Sequence, residues 1–223
     1  NKGVLYKAKF IILCTGVMDV QPVINGSILP ILPYANVQLA DYCLRCDGHH
    51  SMGKDLTIIG NGDGAAWVGI MLKERYFCPS VTILTNGESA KPFSDEVQKL
   101  VDSYDIQLKT SAIVDVLGDA KKNQLNGYIL KDQLEIKSNF TIISLGMIIY
   151  NELAVQLDAD VDTRGFVTTD KFGETSVKGL FVAGDLRANA KKQIYTAWDH
   201  AVDSADKINS LIRTEKRNAA TAH

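Results

Sequence analysis

The 223-residue sequence contains no apolar run near the roughly 18 residues needed to cross a bilayer, and it opens without the charged-then-apolar order of a secretion signal. No membrane span is expected, and the expected location is the cytoplasm. Excess charge is lacking too. With 24 basic and 26 acidic residues the formal net charge is -2, so no whole-molecule field favours nucleic acid or a membrane surface. Cysteine is scarce: Cys14, Cys43, Cys46 and Cys78 are too few for a disulfide scaffold of this length. In a reducing compartment a Cys-x-x-Cys pair points instead to redox or metal chemistry. There is no internal repeat and no low-complexity segment. The chain begins with Asn rather than Met, and residues 4–6 and 10–13 read as strands already under way, so the expectation is a piece of a longer protein. A composition of 46% hydrophobic and 22% charged residues suits one large or two small cores.

Residues 9–16 form a short apolar run closed by Gly16, the pattern of a buried strand ending in a turn. Residues 20–33 hold three of the five prolines and an Asn25-Gly26 pair, with no helical period, and read as an irregular crossing between two structural units. Residues 54–59 then give a strand, a glycine-rich turn follows, and residues 66–75 have helical character. A second strand over 81–84 and a helix over 92–103, with Val97, Leu100 and Val101 at helical spacing, complete a βαβα order. Three β-type runs at 112–117, 125–130 and 133–137, with Gly118 and Asn126-Gly127 as turn signals, read as an antiparallel meander that caps one side. Residues 141–146 add a strand closed by Gly146. Beyond it come short runs at 165–169 and 179–185, a helical stretch over 193–213, and a polar tail expected to fray.

Two motifs carry chemistry. Gly60-x-Gly62-x-x-Ala65 lies directly after a strand and before a helix, where the first glycine permits the turn, the second lets a pyrophosphate approach, and the small third residue allows close helix packing. The helix N-terminus there is also an anion site. At the end of the next strand the chain reads Thr85-Asn86-Gly87-Glu88: no Arg is present for a 2′-phosphate, and Glu88 sits late for a ribose contact. The second motif is Cys43-Leu44-Arg45-Cys46-Asp47. At this spacing the sulfurs approach closely enough for a disulfide, a helix end and Arg45 favour a thiolate, and Asp47 is placed to move a proton. Zinc bound with His49 and His50 is a rival, although those four donors lack the usual separated pairs. A plain structural pair of thiols is another. Trp67 and Met71 read as core or interface residues, Cys14 and Cys78 as inert, and His200 as solvated or capping.

Together these residues resemble the low-molecular-weight thioredoxin reductases among the pyridine nucleotide-disulfide oxidoreductases. Cys43-Leu-Arg-Cys46-Asp47-Gly48 is similar to the family's Cys-Ala-x-Cys-Asp-Gly box, and residues 60–65 to its Gly-Gly-Gly-Asp-Ser-Ala turn, with Asp63 and Gly64 inside it. Thr15-Gly16 is similar to the end of a flavin-domain strand, Gly184-Asp185 to the pair that meets the flavin ribityl chain, and Lys192-Gln193-Ile194 to the Arg-Gln-Ile beside the isoalloxazine ring. The resemblance implies an α/β fold in which a Rossmann-like NAD(P)-binding domain is inserted into an FAD-binding domain. Its parts would be residues 1–26 and 146–223 for the FAD-binding domain and 27–145 for the insert.

The implied activity is flavin-dependent thiol-disulfide exchange, with Cys43, Cys46 and Asp47 as catalytic residues. Cofactor contacts would come from Thr15, Gly16, Gly60, Gly62, Asp63, Gly64, Ala65, Gly184, Asp185, Gln193 and Ile194, and no metal is expected. The implied partners are thioredoxin or a small disulfide or dithiol, and a second copy in a homodimer. The family's first βαβ unit, which anchors the FAD pyrophosphate, would precede Asn1, so FAD is expected once that unit is supplied and weakly or not at all with these 223 residues alone. Family positions that hold His-Arg-Arg, Ser and Glu are Thr85-Asn86-Gly87, Gly64 and Trp67 here. This is similar to members that do not draw electrons from NADPH, which leaves NADPH and NADH open. It also keeps alternatives in view: a ferredoxin-fed reductase, a dithiol oxidase using oxygen, or a non-catalytic nucleotide-binding fragment.

Overall fold

The computed structural model describes residues 3–222. In chain order the elements begin with β1 (Ile11–Leu13), β2 (Val17–Asp19), α1 (Leu32–Ala35), β3 (Ala40–Asp41), α2 (Leu44–Asp47), β4 (Leu56–Gly60), α3 (Gly62–Tyr76), β5 (Val81–Leu84) and α4 (Asp95–Ser103). There follow β6 (Gln107–Lys109), β7 (Ile113–Asp119), β8 (Gln124–Leu130), β9 (Glu135–Lys137), β10 (Phe140–Ser144), β11 (Met147–Ile149), α5 (Glu152–Gln156), β12 (Leu180–Val182) and α6 (Ile194–Thr221). The chain divides into two compact units, Asp19–Gly146 and the residues flanking that stretch on both sides.

The unit Asp19–Gly146 is built on a five-stranded parallel sheet in the order β3-β10-β4-β5-β6. Its central strand β4 is buried along its whole length, as a strand covered on both faces must be. Alternation sends Leu56 and Ile58 to one face and Ile59 to the other. On the first face they pack with Ile142, Val81 and Ile83 against α3 and α4, through Ala65, Ala66, Ile70, Leu72, Val97 and Val101. On the second face Ile59, Leu84 and Ile143 meet the antiparallel meander β7-β8-β9 through Ile113, Leu125, Tyr128, Leu130 and Ile136. The fully buried Tyr128 hydroxyl is satisfied by Thr141 Oγ1 at 2.6 Å, and burial pushes its pKa above the usual phenol value.

The other unit has a small core of Leu13, Ala154, Ala159, Val167, Leu180, Val182 and Leu186. Its β1 pairs in parallel with β12, with Ile12 opposite Phe181, and β2 pairs with β11. Here several readings of the sequence need correction. Residues 4–8 form no strand, and β1 is not fully buried: Ile11 and Ile12 are 47% and 38% exposed, because the strand has a single sheet neighbour. Residues 165–169 contribute only isolated bridges at Val167. The tail does not fray after Arg213, since α6 runs on to Thr221. No helix among the described residues is long and apolar enough to cross a membrane.

In the first unit β6 was not read from the sequence, because its three residues lack a distinct apolar pattern. Trp67 and Met71 do not belong to the core of their unit. The buried face of α3 is made of Gly62, Ala65, Ala66, Gly69, Ile70 and Leu72, which turns Trp67 and Met71 outward at 36% and 41% exposure.

Candidate functional site

Edge strand β3 carries Asp41 into a buried position, and two residues later the chain reaches Cys43 in extended conformation at the N-cap of α2. The single turn of α2 brings Cys46 back to it. The two form a disulfide with Cα atoms 5.3 Å apart, within the span such bonds require. The Cys46 amide donates to Cys43 Sγ at 3.1 Å, an interaction that favours a thiolate at Cys43 once the bond is reduced. Cys46 is the exposed member of the pair and Cys43 is half-buried. The Asp47 carboxylate lies within 4.8 Å of both sulfurs.

Sequence reasoning missed the groups behind it. His50 Nδ1 stands 3.2 Å from Asp41 Oδ2, and the polar atoms of Asp41, Asp47 and His50 lie within 4.8 Å of one another. Burial raises the Asp41 carboxyl above the ordinary carboxylate range; the hydrogen bond from His50 pulls the other way, and the Asp47 charge adds to the rise. The signal was present, as an acid two residues before Cys43 and a His one turn after Asp47. Beside the disulfide, α2 and α3 line an open cavity of about 570 Å³ with Leu44, Arg45, Met71, Arg75 and Tyr76.

The glycine-rich turn leaves β4 and opens α3. A Cβ at Gly60 would stand 2.7 Å from the Ser144 carbonyl oxygen and 3.0 Å from Ala65 Cβ, so close approach of strand and helix excludes a side chain there. Gly62 begins α3 in the left-handed region at φ +67°. A Cβ there would meet the Lys91 side chain at 3.3 Å, and Gly62 itself is buried. Asn61 Nδ2 donates to the Ser89 carbonyl at 2.9 Å and reaches Glu88 Oε2 at 3.3 Å. The Lys91 amide donates to Asn61 Oδ1 and the Ser94 amide to Asp63 Oδ1, both at 2.9 Å. The Lys91 side chain thus stands in the space that the second glycine would open to a pyrophosphate.

In the other unit Gly16, Gly184 and Asp185 line a cavity of about 240 Å³ together with Cys14, Ala183, Ala197 and Ala201. Gly16 and Gly184 both have positive φ, and a Cβ at Gly16 would meet nothing within 4 Å, so the wall is open where a flavin chain would lie. Thr15, Gln193 and Ile194 do not line this cavity: Thr15 Oγ1 donates to the Tyr150 carbonyl at 2.5 Å, Gln193 stands at the N-cap position of α6 with its side chain donating to the Lys192 carbonyl, and Ile194 is exposed. Cys14 is exposed just beyond β1 and not part of the strand, whereas Cys78 is buried and its thiol donates to the Ser51 carbonyl. His200 sits inside α6, half-buried with Nδ1 shielded from solvent; burial, then the Arg187 charge, lowers its pKa.

Residues 1–205 match the model of the pyridine nucleotide-disulphide oxidoreductases. The chain belongs to that family. It is 26% identical over 202 residues to a 34.2 kDa protein in the rubredoxin operon of Clostridium pasteurianum, covering 88% of this chain and 62% of that one. It is 28% identical over 175 residues to thioredoxin reductase of Bacillus subtilis, covering 77% and 54%. Among solved structures, thioredoxin reductase from Streptococcus pyogenes shares the fold with a TM-score of 0.80 at 21% identity, over 96% of this chain and 68% of that one. The family member described here therefore spans less than two thirds of these two curated relatives.

Proposed function

We propose that the chain is the dithiol-bearing part of a flavin-dependent thiol-disulfide oxidoreductase of thioredoxin reductase type, working in the cytoplasm as a homodimer on thioredoxin or a small disulfide. The observation that carries this reading is the Cys43–Cys46 disulfide at the start of α2 with the Asp47 carboxylate within 4.8 Å of both sulfurs. Gly16, Gly184 and Asp185 are the residues that would hold the flavin. Bound FAD supplies the electron pair that opens the disulfide.

Cys46 would be the sulfur on the flavin side and Cys43 would leave as the thiolate, with Asp47, within 4.8 Å of both sulfurs, placed to relay protons to and from the pair. The Cys43 thiolate, steadied by the Cys46 amide, then attacks a substrate disulfide: one S–S bond forms, one breaks, and the first substrate thiol leaves. Cys46 attacks the mixed disulfide at Cys43, which releases the second substrate thiol and restores the Cys43–Cys46 bond. The substrate gains two electrons and two protons, and the dithiol loses them.

A single-turnover assay with the chemically reduced chain and a small aromatic disulfide tests this without any flavin. The wild type should release two thiols per chain, Cys46→Ser should stop at a mixed disulfide on Cys43, and Cys43→Ser should lose rapid exchange. Asp47→Asn should slow the thiol-releasing step about 100-fold. Wild-type thiol release by both cysteine variants would overturn the assignment.

A further inference from the structure

The glycine turn has the form of a dinucleotide site, and the Lys91 side chain lies over its second glycine. Asn61 lies between Gly60 and Gly62, where its side chain projects from the turn itself. It engages segment 88–94 three times: through the Ser89 carbonyl, the Glu88 carboxylate and the Lys91 amide. Asp63, on the first turn of α3, takes the Ser94 amide at the far end of the same segment. Between these two fastenings the Lys91 side chain lies directly over Gly62, with Cβ and Cδ at 3.3 and 3.6 Å from where a Cβ would stand. The root of the segment is also fixed. Thr85 Oγ1 donates to the Glu88 carbonyl at 2.6 Å, while Asn86 donates to the Val23 carbonyl and accepts from the Ile113 amide. The Glu88 carboxylate, just past the end of β5, is engaged with Asn61.

We propose that Asn61 and Asp63 hold segment 88–94 as a latch over the glycine turn, and that Asn61 is thereby the residue that excludes nicotinamide dinucleotides from this chain until the latch opens. This rests on the reading of the turn as the nucleotide side of the oxidoreductase, not on the dithiol chemistry. A ligand that needs the open form binds with an affinity reduced by the fraction of molecules that are open. Removing the Asn61 side chain deletes three of the four fastenings and raises that fraction. The latch is consistent with a chain that accepts its electrons from something other than a nicotinamide.

The test titrates NADPH and NADH separately into the full chain and into Asn61→Gly, with nucleotide fluorescence and calorimetry as readouts and hydrogen exchange at the Lys91 and Ser94 amides recorded alongside. Asn61→Gly should bind at least one of the two about tenfold tighter or more than the wild type, with faster exchange at both amides. Lys91→Gly, which removes the side chain over Gly62 including its Cβ, should gain affinity in the same direction and serves if Asn61→Gly does not fold. Tight binding of either nucleotide by the wild type with exchange at Lys91 and Ser94 unchanged would overturn the proposal. So would faster exchange in Asn61→Gly with no gain in affinity. Neither result depends on the cysteines, so a failure here is distinguishable from a failure of dithiol exchange.

Discussion

Asp41 is an acid withdrawn from water at the edge of a sheet, held by one imidazole and facing a second carboxylate, Asp47. Its carboxyl titrates above the ordinary carboxylate value, so the sign of its effect on stability follows. From about pH 4 up to the raised folded value, the folded state holds a proton that the unfolded state has released. Stability attributable to Asp41 is therefore largest below that window and is lost as pH rises through it. His50, His49 and Asp47 are the charged or titratable neighbours that modulate this. Asp41→Asn should flatten the dependence. In urea unfolding at a series of pH values, the midpoint of the wild type should fall relative to the variant as pH climbs from about 4, and a constant difference would contradict the buried acid.

The elements show what was legible and what was not. The strand-turn-helix around Gly60 was readable because an apolar run, a glycine pair and a helical run follow one another without interruption, and β4 and α3 occupy that stretch. The meander was readable from its β-type runs, and β7, β8 and β9 lie where those runs are, but Gly118 and Asn126-Gly127 fall inside β7 and β8 rather than in the turns, which lie at 120–123 and 131–134. Trp67 and Met71 are not core residues, because helical spacing alone does not say which stripe faces the sheet. The tight approach of α3, where a Cβ at Gly69 would stand 2.9 Å from Val81 Cγ1, selects the small-residue stripe instead. Replacing both Trp67 and Met71 with Lys should then change the unfolding free energy of the unit by no more than about 0.5 kcal/mol per site, as at ordinary surface positions. A loss of several kcal/mol would return them to a packed role. The Cys43–Cys46 disulfide was legible from spacing, whereas the Asp41–His50 contact and the Asn61 fastenings were not, because each joins residues that only the tertiary structure brings together.

At the scale of the whole molecule, the chain leaves one unit after Met18, builds the other from Asp19 to Gly146, and returns. The inserted unit buries both faces of a five-stranded sheet, whereas the other unit's buried cluster is smaller, two isoleucines of β1 are exposed, and α6 buries little beyond Ser204. Unequal cores imply unequal stability. Thermal unfolding followed by circular dichroism should show two transitions, and the isolated Asp19–Gly146 stretch should reproduce the higher one. A single transition that the isolated stretch does not share would refute this. The ring closed by the Cys43–Cys46 bond, with a sequence separation of only three, bears on the same question. Cross-links stabilise chiefly by shrinking the freedom of the unfolded chain, and a ring this small is worth about 2 kcal/mol or less, against about 3 kcal/mol for a loop of 15 residues. The bond is thus nearly idle as a mechanical tie: it can open and close through many cycles while the sheet and its two covered faces carry the fold.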